Sequence, residues 1–406
     1  MATLPRMVKF AARTSRMRAS TIREMLKVTQ QPDVISFGGG LPAPELFPTD
    51  AIADCTREVM DEYGTQALQY GVTDGIPEMR SWVASRLSER LGGAIFAADE
   101  IIIANGSQQG LDLIAKILLD PGDHVVLENP SYIGAIHAFD AYQARYLTVD
   151  TDEDGIVPDS LEQVLARAEP TPKFVYLIPN FQNPTGRTLA ADRRESVVRI
   201  CEHYGVPIVE DDPYGELRFE GDHIPSLVSH ERSGTIIYSG TGSKIMAPGM
   251  RIAWLATHDA EVREKLILAK QGADLQSGTF AQYVFWRYVS KAEPFEKHLA
   301  HIVRTYRKRR DVMHDALTRS MPEHVRFNRP QGGMFLWASV DGVDTTALLE
   351  VAARDKVVFV PGVGFYPHGD ATNGMRLNFS NAGEEKIRLG VERLAKAVRE
   401  FTHTKQ

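Results

Sequence analysis

Cysteine is almost missing from this 406-residue chain: Cys55 and Cys201 are the only two. Their spacing fits neither a disulfide framework nor a zinc site, so a reducing compartment and no metal are expected. Long apolar runs are missing too. Nothing approaches the roughly 20 residues that cross a bilayer, and no membrane partner is expected. Excess positive charge is also lacking: 46 Lys and Arg stand against 53 Asp and Glu, a net charge of −7. A general nucleic-acid binder needs the reverse balance. No internal repeat, low-complexity tract or Gly/Ser linker divides the chain. Acidic residues are absent from Met1 to Ile22, where Arg6, Lys9, Arg13, Arg16 and Arg18 are basic. That stretch reads as a solvated arm on a cytoplasmic enzyme, with a mitochondrial presequence as the alternative.

What is present describes a soluble globular protein, with a 43% hydrophobic share. The length favours one large domain and a smaller one. The division expected is an N-terminal arm with part of the small domain over 1–45, a large domain over 46–290 and a C-terminal small domain over 291–406. From about residue 100, short β-branched runs alternate with longer amphipathic stretches. Ile101 to Ala104 reads as a strand and Gln108 to Leu119 as the helix after it. His124 to Glu128, Phe174 to Ile178, Pro207 to Glu210, Ile236 to Tyr238 and Ile252 to Ala256 read as further strands. Strands separated by helices predict βαβ units, a mostly parallel sheet, and a ligand beyond the strands' carboxyl ends. Phe280 to about Thr318 reads as one long helix leading to an α+β unit built on Val325 to Val340, Val357 to Val360 and Met375 to Phe379.

Polar motifs follow these strands. After Ala104, Asn105-Gly106-Ser107-Gln108 turns the chain into a helix whose free N–H groups and Ser107 hydroxyl suit an anion. Glu128-Asn129-Pro130-Ser131-Tyr132 offers an aromatic ring for a flat cofactor. Asn183-Pro184-Thr185-Gly186 is a rigid turn that fixes the Asn183 amide. Glu210-Asp211-Asp212-Pro213-Tyr214 puts three carboxylates at a buried strand end, which is costly unless one meets a cation such as a pyridinium nitrogen. Thr241, Ser243 and Arg251 surround Lys244 with hydroxyls and a guanidinium, a cup for phosphate. Each motif alone is an ordinary turn, cap or charged surface. Jointly they supply an amine, a pyridinium partner, ring-oxygen donors, a stacking ring and a phosphate cup, which points to pyridoxal 5′-phosphate.

The order Ser107, Tyr132, Asn183, Asp211, Tyr214, Lys244, Arg251 and Arg376 resembles the fold-type I pyridoxal-phosphate enzymes of the class I/II aminotransferase group. The resemblance is closest to 2-aminoadipate and kynurenine/aminoadipate-like aminotransferases. It extends to Arg18-Ala19-Ser20-Thr21-Ile22-Arg23-Glu24, to Ile35 through Pro48, to Ala67-Leu68-Gln69-Tyr70-Gly71 and to Gln271-Gly272-Ala273-Asp274-Leu275. It implies an α/β fold: a large domain with a mostly parallel sheet of the seven-stranded type flanked by helices, plus a smaller α+β domain. It implies transamination of an L-amino acid with 2-oxoglutarate in two half-reactions, with Lys244 as Schiff-base lysine and proton shuttle.

The implied roles are specific. Asp211 pairs with the ring nitrogen, Asn183 and Tyr214 with the ring oxygen, and Tyr132 stacks. Ser107, Gln108, Thr241, Ser243 and Arg251 bind phosphate, joined by Tyr70 from a second subunit of a homodimer. Arg376 clamps the substrate α-carboxylate with Asn183 and the backbone around Gly40. Arg23, with Ser20 nearby, meets a distal side-chain carboxylate. Two departures stand out. Gly242 replaces a bulky aromatic, which predicts a looser lysine loop, and Gly38-Gly39-Gly40 predicts a roomier or more mobile substrate-side loop. The same fold also carries lyases, decarboxylases and oxidases, and occurs behind winged helices in regulators. About 30 residues precede the motifs here, too few for a DNA-binding domain.

Overall fold

The computed structural model describes residues 8–17, 33–91, 93 and 95–403. The apolar runs form a seven-stranded sheet in the spatial order Ile101–Ala104, Ala253–Ala256, Ile236–Thr241, Ile208–Asp211, Phe174–Leu177, His124–Glu128, Arg145–Val149. All neighbours are parallel except Ala253–Ala256, which runs antiparallel to both strands beside it. The remaining strands therefore point one way and share one carboxyl edge. The strands in the middle of the sheet are buried along their whole length, as helices on both faces require. Ser107–Leu118 packs between Ile133–Asp140 and Ala260–Gln271, and Pro158–Arg167 pairs with Ala191–Tyr204.

Two elements differ from the sequence reading. Arg145–Val149 is an edge strand in which only Val149 is buried, so its sequence carries no apolar run to mark it. The long helix is two, Thr279–Val289 and Ala292–Ser320. Pro294 accounts for the break, because a continuous helix would drive its ring into the carbonyl of Ser290 four residues earlier.

Beyond the break a four-stranded antiparallel sheet runs Val325–Phe327, Phe335–Val340, Gly374–Asn378, Val360–Pro361. Glu384–His403 packs against Ala292–Ser320 and Thr345–Arg354. Ile35–Ser36 joins this region by pairing in parallel with Val357–Val358. Gly38 to Gly40 then lead the chain back to the carboxyl edge of the large sheet, where Gly40 meets Lys244. No helix among the described residues is long and apolar enough to cross a membrane.

Candidate active site

Asp211 is the last residue of Ile208–Asp211, one position later than the strand end expected from sequence, and is 2% exposed. Its neighbours on both sides supply hydroxyls: Tyr176 Oη donates to Oδ2 at 2.9 Å and Ser239 Oγ to Oδ1 at 3.0 Å. Burial pushes its pKa up to about 6, and the two hydroxyls oppose that rise. The adjoining carboxylates are spent elsewhere. Asp212 accepts from Asn180, Tyr238 and Arg90, while Glu210 accepts from Ser226 and from the Leu227 and Val228 amides. Asp212 is held by Arg90, and Glu210 by a hydroxyl and two backbone amides, which leaves Asp211 as the functional candidate of the acidic run.

Lys244 follows the strand Ile236–Thr241, and its Nζ donates to Gly40 O at 3.0 Å. Burial first, then the Arg376 and Arg251 charges, pull its pKa down to about 8. An amine so placed is half neutral near pH 8, well below an ordinary lysine, and the neutral amine is the form that attacks an aldehyde.

Asn183 links the two units. Its Nδ2 donates to Tyr214 Oη at 3.3 Å, and its Oδ1 accepts from Arg376 Nη1 at 2.8 Å. Arg376 Nη2 donates to Gly38 O at 2.7 Å. The guanidinium lies 4.3 Å from the Phe335 ring centre and 5.2 Å from that of Phe365, and burial lowers its pKa to about 10. Its Nε is buried with no hydrogen-bond partner. A buried cation flanked by rings, with an unused donor, suits a carboxylate brought by a small molecule.

The anion cup forms where Gly106 opens the helix Ser107–Leu118 at φ 84°. A Cβ on Gly106 would fall 2.0 Å from Arg251 Nη2, so only glycine lets that guanidinium lie against the turn. The N–H groups of Gln109 and Gly110 bond back to Gly106 O, which leaves Ser107 and Gln108 at the helix mouth. Gln108 turns its side-chain amide to Gly134 O. Its backbone, not its side chain, faces the cup. Thr241 Oγ1 bonds to Ser243 Oγ and Ile252 O and accepts from Ser243 N, so it shapes the loop and leaves Ser243 to present a hydroxyl.

The expected looseness at Gly242 is not found. Phe285 fills the space, and a Cβ on Gly242 would meet its ring at 2.3 Å. Nor is the glycine run free, since Gly38 O and Gly40 O both accept side-chain bonds. Tyr132 heads the helix Ile133–Asp140, and its ring folds over Gly134, where a Cβ would lie 2.4 Å away. Tyr70 is the one described site candidate away from this cluster, 78% exposed on the surface. Arg23 and Ser20 lie outside the described residues. Sequence reasoning missed Tyr176, Ser239, Phe335 and Phe365. Tyr176 carried the one available signal, a hydroxyl inside the otherwise apolar run Phe174–Leu177.

A lysine, a strand-end carboxylate, an amide linked to a buried arginine and an anion cup fit pyridoxal 5′-phosphate with an amino-acid substrate. They define a transferase site on an α/β sheet. The class I and II aminotransferase family matches residues 34–394, and the chain belongs to it and is an aminotransferase. It is 43% identical over 395 residues to an aromatic-amino-acid aminotransferase of Thermococcus litoralis, covering 96% of this chain and 94% of the relative. It is 41% identical to a 2-aminoadipate transaminase of Thermus thermophilus, with 96% of each chain covered. A kynurenine aminotransferase structure from Pyrococcus horikoshii, in complex with PMP, superposes with a TM-score of 0.92 at 42% identity, over 97% of both chains.

Proposed function

We propose that the enzyme moves the amino group of an L-amino acid such as 2-aminoadipate to 2-oxoglutarate in two half-reactions, with glutamate the product and, in reverse, the donor to other 2-oxo acids. The observation that carries this reading is the chain Lys244–Gly40 and Gly38–Arg376–Asn183–Tyr214, which places a soft amine beside a carboxylate clamp. Pyridoxal 5′-phosphate is the cofactor, and when bound it supplies an electron sink for the charge left at the substrate Cα. Ser107, the Gln108 backbone, Ser243 and Arg251 hold its phosphate, with Thr241 setting the loop. Asp211 faces the ring nitrogen, Asn183 and Tyr214 donate to the ring oxygen, and Tyr132 covers one face. Arg376 grips the α-carboxylate with Asn183 and the backbone at Gly40. That grip would set the Cα–H bond over Lys244 Nζ, which would take the proton from Cα and pass it to C4′ of the cofactor.

Arg23, with Ser20, is assigned the distal carboxylate. The protein is assigned to the cytoplasm as a homodimer, with Tyr70 reaching the partner's phosphate. The likeness to a 2-aminoadipate transaminase and an aromatic-amino-acid aminotransferase supports a donor range that includes both substrate types.

The test is one titration series. Single amino acids are added to the cofactor-loaded wild type and Lys244→Ala while the visible absorbance is followed. The wild type should bleach fastest with glutamate and 2-aminoadipate. Lys244→Ala should stay folded, lack the wild-type band and, with 2-aminoadipate and 2-oxoglutarate supplied together, form no glutamate. A variant that keeps the band removes Lys244 from its role, and glutamate no faster than alanine removes the distal-carboxylate assignment.

A further inference from the structure

We propose that Tyr176 is a positioning residue which, with Ser239, holds the Asp211 carboxylate ionised and in a single orientation toward the ring nitrogen. The inference rests on the reading of Asp211 given above and adds to it what keeps that residue competent. Asp211 lies between two parallel strands, and each contributes one hydroxyl. Ser239 stands directly opposite it in the register of Ile236–Thr241. Tyr176 pairs with Val209 in Phe174–Leu177, two residues back, so only a side chain as long as tyrosine reaches the strand end from there. The Tyr176 ring is fully buried and braced edge-on by Phe139, with centroids 5.7 Å apart at 77°. The hydroxyl therefore has little freedom to turn elsewhere.

The hydrogen-bond logic fixes the charge state. An ionised carboxylate only accepts, so it takes one O–H on each oxygen and keeps its other lone pairs for the cleft. A protonated Asp211 would accept more weakly on the oxygen that carries the hydrogen, so two hydroxyl donors favour the ionised form. Tyr176 cannot supply the charge itself, because burial and the neighbouring Asp211 hold its phenol well above the ordinary range. The titratable groups that act on Asp211 or its partner are few: Asp212 next in the chain, Tyr132 and Tyr214, and Glu128 beside Tyr176. Among the described residues no cation is paired with Asp211. Its ionised form depends on the two hydroxyls until a cationic ring arrives.

The experiment compares Tyr176→Phe and Asp211→Asn with the wild type. Cofactor affinity is measured on the apoenzyme, and the ¹⁵N resonance of labelled ring nitrogen on the holoenzyme. Tyr176→Phe should weaken cofactor binding about tenfold, the worth of one hydrogen bond to a charged group. It should also move the ring-nitrogen resonance toward the neutral form and lower kcat with little change in KM. A purely structural tyrosine would lower thermal stability and leave the resonance in place. Should Tyr176→Phe fail to fold, Ser239→Ala removes the bond to the other oxygen and must shift the resonance the same way. An unmoved resonance in the hydroxyl variants, with Asp211→Asn displacing it, overturns the inference alone. If Asp211→Asn also leaves it unmoved, the assignment of Asp211 itself falls.

Discussion

Glu128 ends His124–Glu128 with 5% of its surface exposed, and its Oε2 accepts from the Ile178 amide. Burial, opposed by bonds from Ile178 and Gln182, pushes its pKa up to about 8. Glu210 is raised to about 7 for the same reason. Between the ordinary carboxylate range and these values the folded chain holds protons that the unfolded chain has lost. Stability from these groups is therefore complete at low pH and lost as pH rises through about 8. Glu128→Gln, which keeps the shape and removes the titration, should flatten the fall in apoenzyme melting temperature above neutral pH. Parallel curves for the variant and wild type would mean that Glu128 is ionised in the fold. At this scale motifs in the sequence marked Lys244, Asn183 and a run of three carboxylates as candidates, while the family resemblance added Arg376 and chose Asp211. The motif alone could not choose among Glu210, Asp211 and Asp212, because that depends on partners such as Ser226 and Arg90, distant in the chain.

Elements were legible in proportion to how fully they are buried. Ile101–Ala104 and His124–Glu128 stand out as apolar runs, whereas Arg145–Val149, wet along most of its length, does not. The packing role of Gly242 was invisible because Phe285, which fills its space, sits on another helix. A similar long-range tie holds the phosphate cup. Lys270, near the end of Ala260–Gln271, is fully buried and donates to Gln109, Asp274 and Ser277. Gln109 in turn accepts from Asn105 N at 2.7 Å and donates to Asp274 at 2.6 Å, and Ser277 donates to Ile103 O. One ammonium thus pins the strand end, the Asn105–Gly106 turn and the helix that opens the cup. Lys270→Met would leave Asp274 with only the Gln109 amide for its charge and should cost about 3 kcal/mol in denaturant unfolding, the lower end for breaking a buried ion pair. Because the turn loosens with it, cofactor affinity should fall as well. A destabilised variant with unchanged affinity would show that the knot supports the fold but not the cup.

For the whole molecule, the open question is why a rigid surface carries so much apolar area. Leu68 and Tyr70 are 69% and 78% exposed, and Val72, Leu275 and Phe280 are also exposed. The loop bearing them is not slack. Gln276 accepts from Gly71 N, and Gln282 from Ile76 N at 2.9 Å. A fixed apolar patch of this kind suits the homodimer proposed above, in which a two-fold pairing would bury it on both copies at once. In the homodimer proposed above, Tyr70 would lie next to the partner's cup and would link assembly to cofactor retention, since whatever binds the dimer better than the monomer stabilises the dimer. Leu68→Asp should shift sedimentation toward monomer and weaken cofactor binding in step, with the loss reversed at high protein concentration. Tyr70→Phe should remain dimeric, lose only its hydroxyl donor to phosphate, and bind cofactor about tenfold more weakly at every concentration. A wild type that sediments as a monomer while fully loaded and active would refute both the pairing and the role of Tyr70.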